Sequence, residues 1–202
     1  MKILTILGSP KKHGNTATVL NQFEALSAPT HAIERINLAD YTLRDCLGCN
    51  VCQGKLNEPG CVQKDDTTAI IDRILAADVV IYATPLYAWS FSASMKALID
   101  RQYCLTKWHG HQLANALLAG KPTALLVTCA GPVEGNTDLI QTTFDRIMSY
   151  TQSHMVGQYI VPFCTTPDQL GDSATATAKA MFNDISQLAR SPSPSNNMTL
   201  NP

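Results

Sequence analysis

Gly8-Ser9-Pro10-Lys11-Lys12-His13-Gly14-Asn15-Thr16-Ala17 is the stretch that decides the fold. Before it runs Lys2-Ile3-Leu4-Thr5-Ile6-Leu7, short and apolar. After it, Val19, Leu20, Phe23 and Leu26 recur at helical spacing within Thr16 to Leu26. Strand, polar glycine loop and helix in that order build an anion site. A helix start leaves N–H groups unpaired and gathers partial positive charge at the loop. Gly8 and Gly14 let the backbone bend and approach a ligand. Ser9, Asn15 and Thr16 offer hydroxyl and amide donors, Lys11 and Lys12 offer charge, and His13 adds a donor. That chemistry suits a phosphate monoester. An ordinary strand-to-helix turn capped by Asn15 or Thr16 is the competing reading. The loop matches neither G-x-x-x-x-G-K-[ST] nor G-x-G-x-x-G, which argues against a Walker nucleotide site and a Rossmann dinucleotide turn.

Working outward, the 202 residues suit one domain, residues 1–190, with a loose tail over 191–202 that is rich in Ser, Pro and Asn. The apolar share of 45% is that of a globular chain, and the charged share of 15% is low for a lone monomer. A net charge of −1 gives no electrostatic case for nucleic acid or an acidic membrane. No apolar run is long enough to span a bilayer, and Met1-Lys2 enters a strand pattern rather than a signal peptide, so a cytoplasmic location is expected. Seven cysteines, an odd number, do not suggest a secreted disulfide framework.

Within His31 to Leu38, Ala32 to Leu38 reads as a second strand, and Tyr41 to Asp66 as a long loop. Asp65 or Asp66 caps the next helix, whose inner stripe is Ile70, Ile71, Ile74 and Leu75. Asp78 to Ala83 is a continuous apolar run, the mark of a strand buried on both faces of a parallel sheet. Ser92 caps a helix through Met95, Leu98, Ile99 and Tyr103. Trp108 to Leu118 reads as an extra, partly helical segment. Pro122 to Cys129 is a fourth strand; a helix follows through Leu139, Ile140, Phe144, Ile147 and Met148. Met155 to Pro162 is the fifth strand and Ser173 to Arg190 the last helix. Strands alternating with helices predict a three-layer α/β fold, a doubly wound five-stranded parallel sheet covered on both faces. Among the orders open to such a sheet, the flavodoxin-like 2-1-3-4-5 is the one expected. Ligands of such sheets sit beyond the strand C-termini at the switch point, between the first and third strands.

Two further loops fall at those ends. Thr84-Pro85-Leu86-Tyr87-Ala88-Trp89 runs into Ser92-Ala93-Ser94-Met95-Lys96-Ala97-Leu98-Ile99-Asp100-Arg101. Pro85 stiffens the loop, and the backbone of Leu86 and Ala88 can meet the edge of a flat ring that Tyr87 and Trp89 wall. Loop-anchoring aromatics are the plainer reading. Thr128 to Asn136, with Ala130 and Gly131, is the third loop. Together these loops resemble the flavodoxin-like NAD(P)H-dependent FMN reductases, including the iron–sulfur flavoproteins, over roughly the first 150 residues. The second stretch is similar to the family's T-P-x-Y-x-x-x-x-S-A-x-M-K-x-x-I-D-R. The resemblance implies FMN, its phosphate held by Ser9, Lys11, His13, Gly14, Asn15, Thr16 and Ala17. Pro85 to Trp89, Thr128, Ala130 and Gly131 would then line its ring.

Cys46, Cys49, Cys52 and Cys61 form C-x2-C-x2-C-x8-C. Thiols at these gaps can converge on the corners of a [4Fe-4S] cluster. The spacing is similar to the C-x2-C-x2-C-x4–7-C of iron–sulfur flavoproteins, but the last gap is longer. Cluster, zinc, and free or disulfide-forming thiols all stay open, with a slight lean to the cluster-free form. Cys104, Cys129 and Cys164 read as buried packing residues. His109 and His111 make a lone H-x-H, a weak metal signal that suits a pocket rim or subunit contact, and His31 and His154 stand at strand starts. Neither G-x-S-x-G nor a Ser/His/Asp order is present, which disfavours hydrolysis.

The function this implies is hydride transfer from NAD(P)H through FMN to a quinone, flavin or similar acceptor. Tyr87 is a candidate for orienting substrate, and no side chain need form a covalent bond. Few charges and loop aromatics suggest a homodimer or larger homo-oligomer. A single-electron carrier with FMN and a cluster, served by a ferredoxin-like partner, and a flavin-binding module without significant turnover are the alternatives. The residues name neither the acceptor nor the choice of NADH or NADPH.

Overall fold

The structure, a computed structural model, describes residues 1–189. In chain order its elements are β1 (Lys2–Leu7), α1 (Asn15–Ser27), β2 (Ala32–Asn37), α2 (Thr67–Ala76), β3 (Val79–Pro85), α3 (Ala93–Arg101), β4 (Thr106–His109), β5 (Gln112–Ala116), β6 (Pro122–Thr128), α4 (Asp138–Thr151), β7 (His154–Val161) and α5 (Gly171–Leu188). Five strands pair in parallel in the order β2-β1-β3-β6-β7. With β6 and β7 counted as fourth and fifth, this is the flavodoxin-like order expected from the sequence. Arg190, expected to end the last helix, and the 191–202 tail lie outside the described residues.

The period of two in each central strand separates two cores. Ile3 and Leu7 of β1, Val79, Ile81 and Ala83 of β3, and Ala124 and Leu126 of β6 pack with α1 and α5. Leu4, Ile6, Val80, Tyr82, Leu125 and Val127 face the other way, onto α2, α3 and α4. Every residue of β3 is buried, which is why its sequence reads as an unbroken apolar run. Tyr82 is buried with its hydroxyl bonded to the Gln102 amide, Oη to Oε1 at 3.0 Å. Among the described residues no helix is long and apolar enough to cross a membrane.

Residues 108–118 depart from expectation. Residues 108–116 belong to an antiparallel hairpin, β4 with β5, and 117–118 to the turn after it; none is helical. Gly110, at φ 60°, supplies the left-handed backbone that a two-residue hairpin loop requires, and this overrides the weak helical pattern of the segment. Helix starts differ too. Gly14 stands at the N-cap of α1, where no side chain makes a capping bond, so neither Asn15 nor Thr16 caps it. Ser92 does cap α3, its Oγ accepting from Met95 N–H at 3.4 Å. Helix α3 stops at Arg101, and residues 102–105 continue as a 3-10 turn.

Of the acidic pair before α2, Asp66 stands at the N-cap but makes no side-chain capping bond, and only Asp65 reaches a helix N–H. Asp65 Oδ1 accepts from Thr67 N–H at 3.1 Å, while Asp65 Oδ2 accepts from Arg44 N–H at 2.9 Å and Asp66 Oδ2 from Thr42 N–H at 2.7 Å. The two carboxylates thus close the base of the long loop. Arg101, at the end of α3, donates Nη1 to Asp65 Oδ2 at 2.6 Å and to Arg44 C=O at 3.0 Å. Both side chains of this ion pair are 1% exposed. Burial alone would raise the Asp65 carboxyl, but the bonds from Arg101, Arg44 and Thr67 outweigh it and hold the group at about 2.

A stability test follows from this pair. Asp65→Asn leaves Arg101 buried without its counter-charge and should cost about 3–5 kcal/mol at neutral pH. The folded carboxyl sits at about 2 against an ordinary 3.8, so its contribution is full above the ordinary value and is lost as pH falls towards the folded one. Urea unfolding of wild type and variant from neutral pH downward should show the gap narrow in the acid range. A constant gap would mean that Asp65 ionisation is not its source.

Candidate active site

The loops after β1, β3 and β6 meet at the C-terminal edge of the sheet. Gly8 N–H donates to Ala83 C=O at 2.8 Å, Leu86 N–H to Thr128 C=O at 2.8 Å, and Cys129 N–H to Val161 C=O at 3.0 Å. The Gly8 carbonyl accepts from Ser92 Oγ at 2.6 Å and from Ser94 Oγ at 3.2 Å. A Cβ on Gly8 would lie 2.8 Å from Ser92 Oγ and 2.9 Å from Met95 Cβ. Glycine is required here by the close approach of α3.

The start of α1 opens on a depression of about 160 Å³ lined by Ser9, Lys11, Gly14, Asn15, Thr16, Pro85, Leu86, Tyr87 and Thr128, with Cys129, Ala130 and Cys164. The first α1 bond runs from Thr18 N–H to Gly14 C=O, so the N–H groups of Asn15, Thr16 and Ala17 precede the intrahelical ladder. Ser9 and Thr16 are buried. Ser9 Oγ accepts from Lys11 N–H at 3.1 Å, and the Thr16 and Thr128 hydroxyls meet at 2.6 Å. Asn15 Oδ1 is buried without a partner, and Nδ2 reaches Thr165 C=O only at 3.4 Å. Half a turn of that amide would place its NH₂ where the oxygen lies. An uncapped helix start, buried hydroxyls and the Lys11 ammonium fit a phosphate monoester.

A second depression of about 210 Å³ adjoins the first, sharing Leu86, Cys129 and Ala130, and adds Ala88, Trp89, Gly131 and Asn136. Tyr87 and Ser90 exchange backbone bonds at 3.1 and 3.0 Å around Ala88 (φ 48°) and Trp89 (φ 57°). Positive φ at both central residues gives a tight turn and stores about 1–3 kcal/mol per residue. The turn leaves Tyr87 48% and Trp89 58% exposed at the edge of the depression. This end fits a flat, partly apolar ring.

Two expected residues lie off this surface. Ala17 is fully buried in the core, and His13 lines a neighbouring groove with Lys11, Lys12, Thr165 and Pro167. Lys12 pairs with Asp40. Conversely, Cys129 and Cys164 pack as expected but also line the first depression. Burial raises both thiols, Cys164 to about 11, so they stand there as neutral groups rather than nucleophiles. Their place just after β6 and β7 was the available signal.

The four-cysteine loop forms a second centre. Cys46, Cys49, Cys52 and Cys61 all line one small cavity, together with Arg101, Tyr103 and Cys104. All are free thiols; Cys46 and Cys49 are exposed, Cys52 is buried and Cys61 half-buried. The 53–60 excursion folds back, so that Cys61 rejoins the other three. Arg101 Nη2 donates to Cys61 Sγ at 3.4 Å. Among the described residues no three His, Cys, Asp or Glu side chains converge closely enough for a single metal ion. A zinc site needs sulfurs within about 2.3 Å of one point, whereas the corners of a cluster are wider apart. Four cysteines lining one cavity beside the buried Arg101 are a donor set that fits a cluster. Burial raises the Cys104 thiol to about 12. A larger groove of about 490 Å³, lined by Asp45, Cys46, Ile99, Tyr103, Ile147 and Tyr150 among others, runs beside this loop, away from the start of α1.

The chain is 29% identical over 188 residues to an iron–sulfur flavoprotein of Archaeoglobus fulgidus, covering 93% of this chain and 80% of that one. Against an iron–sulfur flavoprotein of Methanocaldococcus jannaschii it is 36% identical over 116 residues, 57% of this chain and 58% of that protein's length. In fold it matches the crystal structure of an FMN-dependent NADH-azoreductase from Bacillus anthracis in complex with FMN, with a TM-score of 0.66. That match covers 93% of this chain and 99% of the other at 14% identity. The family model described as NADPH-dependent FMN reductase matches residues 1–166, a span that takes in all three loops at the sheet edge, and the chain belongs to that family.

Proposed function

We propose that the chain binds FMN at the sheet edge and carries electrons from NAD(P)H to a quinone, flavin or similar small acceptor. The observation that carries this reading is the uncapped start of α1, which opens on a depression continuous with one walled by Leu86, Ala88 and Trp89. FMN supplies the redox chemistry when bound, taking hydride from a nicotinamide and passing electrons on. The protein's part is to hold and orient. Ser9, Asn15, Thr16 and the first N–H groups of α1 bind the phosphate, with Lys11 at its edge. Thr128 C=O, by taking Leu86 N–H, fixes the loop under the ring. Tyr87 and Trp89 shield one side and meet the incoming substrate. Their exposure supports a homo-oligomer in which a second copy covers them. Seven free thiols suit a reducing, cytoplasmic setting.

A second reading is an electron carrier that takes single electrons from a ferredoxin-like partner. One observation favours it: the four motif cysteines surround one cavity. In that reading Cys46, Cys49, Cys52 and Cys61 hold a [4Fe-4S] cluster, which supplies one-electron steps. Rapid NAD(P)H oxidation with a quinone supports the enzyme; reduction by ferredoxin but not by nicotinamide supports the carrier. Flavin binding with neither activity would leave a binding module.

Two binding measurements test the flavin site. Ser9→Ala, and Thr16→Val, should each weaken FMN by about 1–3 kcal/mol without unfolding the chain, because a buried donor to the phosphate is lost. Calorimetry should show riboflavin, which lacks the phosphate, binding far more weakly than FMN; equal affinities would remove the phosphate from residues 8–17. For the ring, FMN should quench part of the Trp89 fluorescence, and Trp89→Ala should change acceptor kinetics more than melting temperature. Unaltered quenching and turnover would return Tyr87 and Trp89 to loop anchors.

A further inference from the structure

Lys107 is fully buried, an unusual place for a lysine. It stands on β4, the first strand of the hairpin. Its Nζ donates to Cys52 C=O at 2.8 Å and to Pro59 C=O at 3.0 Å. Those carbonyls stand at the two ends of the excursion that separates Cys52 from Cys61. Other hairpin contacts seat the same excursion. Gln53 Nε2 donates to Thr106 C=O at 3.1 Å, Gln53 Oε1 accepts from Trp108 N–H at 2.9 Å, and Asn115 Nδ2 donates to Leu56 C=O at 2.9 Å. The hairpin is the bed on which the long last gap of the cysteine motif folds back.

No carboxylate among the described residues is in ion-pair contact with Lys107, although Glu58 lies near enough to favour its charge. Arg101, the other buried cation beside the cysteines, is matched by Asp65. Glu58, on the excursion, pairs with Lys55 at the surface, at 2.9 Å. Among the described residues Lys107 forms no ion pair with any acidic side chain, although two carbonyl dipoles solvate its ammonium. A buried charge is costly unless it is paired, so the cation calls for an anion close by. The cavity lined by four cysteines borders the same residue, Cys52, whose carbonyl Lys107 holds. A cluster carried by four thiolates is net negative and would supply that missing charge.

We propose that Lys107 is the positioning residue and fixed counter-charge of the four-cysteine centre, holding the Cys52–Cys61 excursion closed and raising the electron affinity of a cluster bound there. This rests on the cluster reading given above. A fixed positive charge favours the more negative, reduced form, so its removal lowers the reduction potential.

The test uses full-length protein purified without oxygen: wild type, Lys107→Met, Lys107→Arg and Cys49→Ser. Iron, acid-labile sulfide and FMN are counted, and the cluster potential is followed by electron paramagnetic resonance during redox titration, a reading independent of turnover. Wild type should carry stoichiometric iron and sulfide, lost in Cys49→Ser with FMN kept. Lys107→Met should keep its iron but need a more negative poise, with the reduced-to-oxidised ratio at fixed potential falling at least about tenfold, which is 59 mV for one electron. Lys107→Arg should restore the wild-type potential. Loss of iron in Lys107→Met, with FMN kept and iron regained in Lys107→Arg, also supports the role. Wild-type iron at an unchanged potential in Lys107→Met overturns it. Wild-type protein without iron or sulfide overturns the cluster reading itself, and the inference with it. If the methionine variant does not fold, Lys107→Gln, neutral but able to keep a carbonyl bond, gives the same readings.

Discussion

The Gly8 carbonyl, held by the hydroxyls of Ser92 and Ser94, is the contact on which both centres depend. It fixes the anion loop against the N-terminus of α3, close enough that only glycine fits. The same helix ends in Arg101, which grips Asp65, the Arg44 carbonyl and Cys61. Its nine residues put about 13 Å between those ends. Helix α3 is a strut: one end sets the loop at the sheet edge, the other sets the cysteine loop. The middle of the strut, Met95 and Leu98, is fully buried in the core, which holds it in place.

The cysteine loop would be hard to keep folded on its own chemistry. Little apolar surface anchors it, and Leu47, Val51, Leu56 and Val62 point outward. What fixes it is a set of charged and polar groups brought from elsewhere: Arg101 from α3, Lys107 and Asn115 from the hairpin, and Asp65 and Asp66 at its base. Buried ion pairs gain little net stability over apolar packing, but breaking one is expensive, so such a network favours a single arrangement. A loop that brings four cysteines to one cavity has use for that rigidity.

The two centres are built differently. At the sheet edge, backbone geometry dominates: strand ends, a helix start and a strained turn at Ala88 and Trp89. Few charges are buried there, and its thiols are neutral. In the cysteine loop, side-chain charge dominates, with two buried cations around the thiols. The contrast suits a cofactor held by its phosphate and ring edge on one side and an anionic centre on the other.

The sequence by itself determined the strands and helices of the parallel sheet and the loops that meet at its edge, while the order of the strands came from their pairing in the fold. Local signals fix these: continuous apolar runs in β3 and β6, helical spacing in α1 and α2, and glycines where the chain must turn. The period of a strand or helix is written in a few adjacent residues, so it can be read without the fold. Only the tertiary structure decided the rest. The hairpin over residues 106–116 has no strong periodicity, and its form follows from Gly110 and from packing on the cysteine loop. Ala17 turned inward because the phase of α1 sets its direction, whereas His13 sits on the turn before α1 and lines a neighbouring groove. Lys107 read as an ordinary charged residue. Its burial depends on carbonyls 48 and 55 residues away in the chain. Such contacts are set by the path of the whole chain, and no short window of sequence contains them.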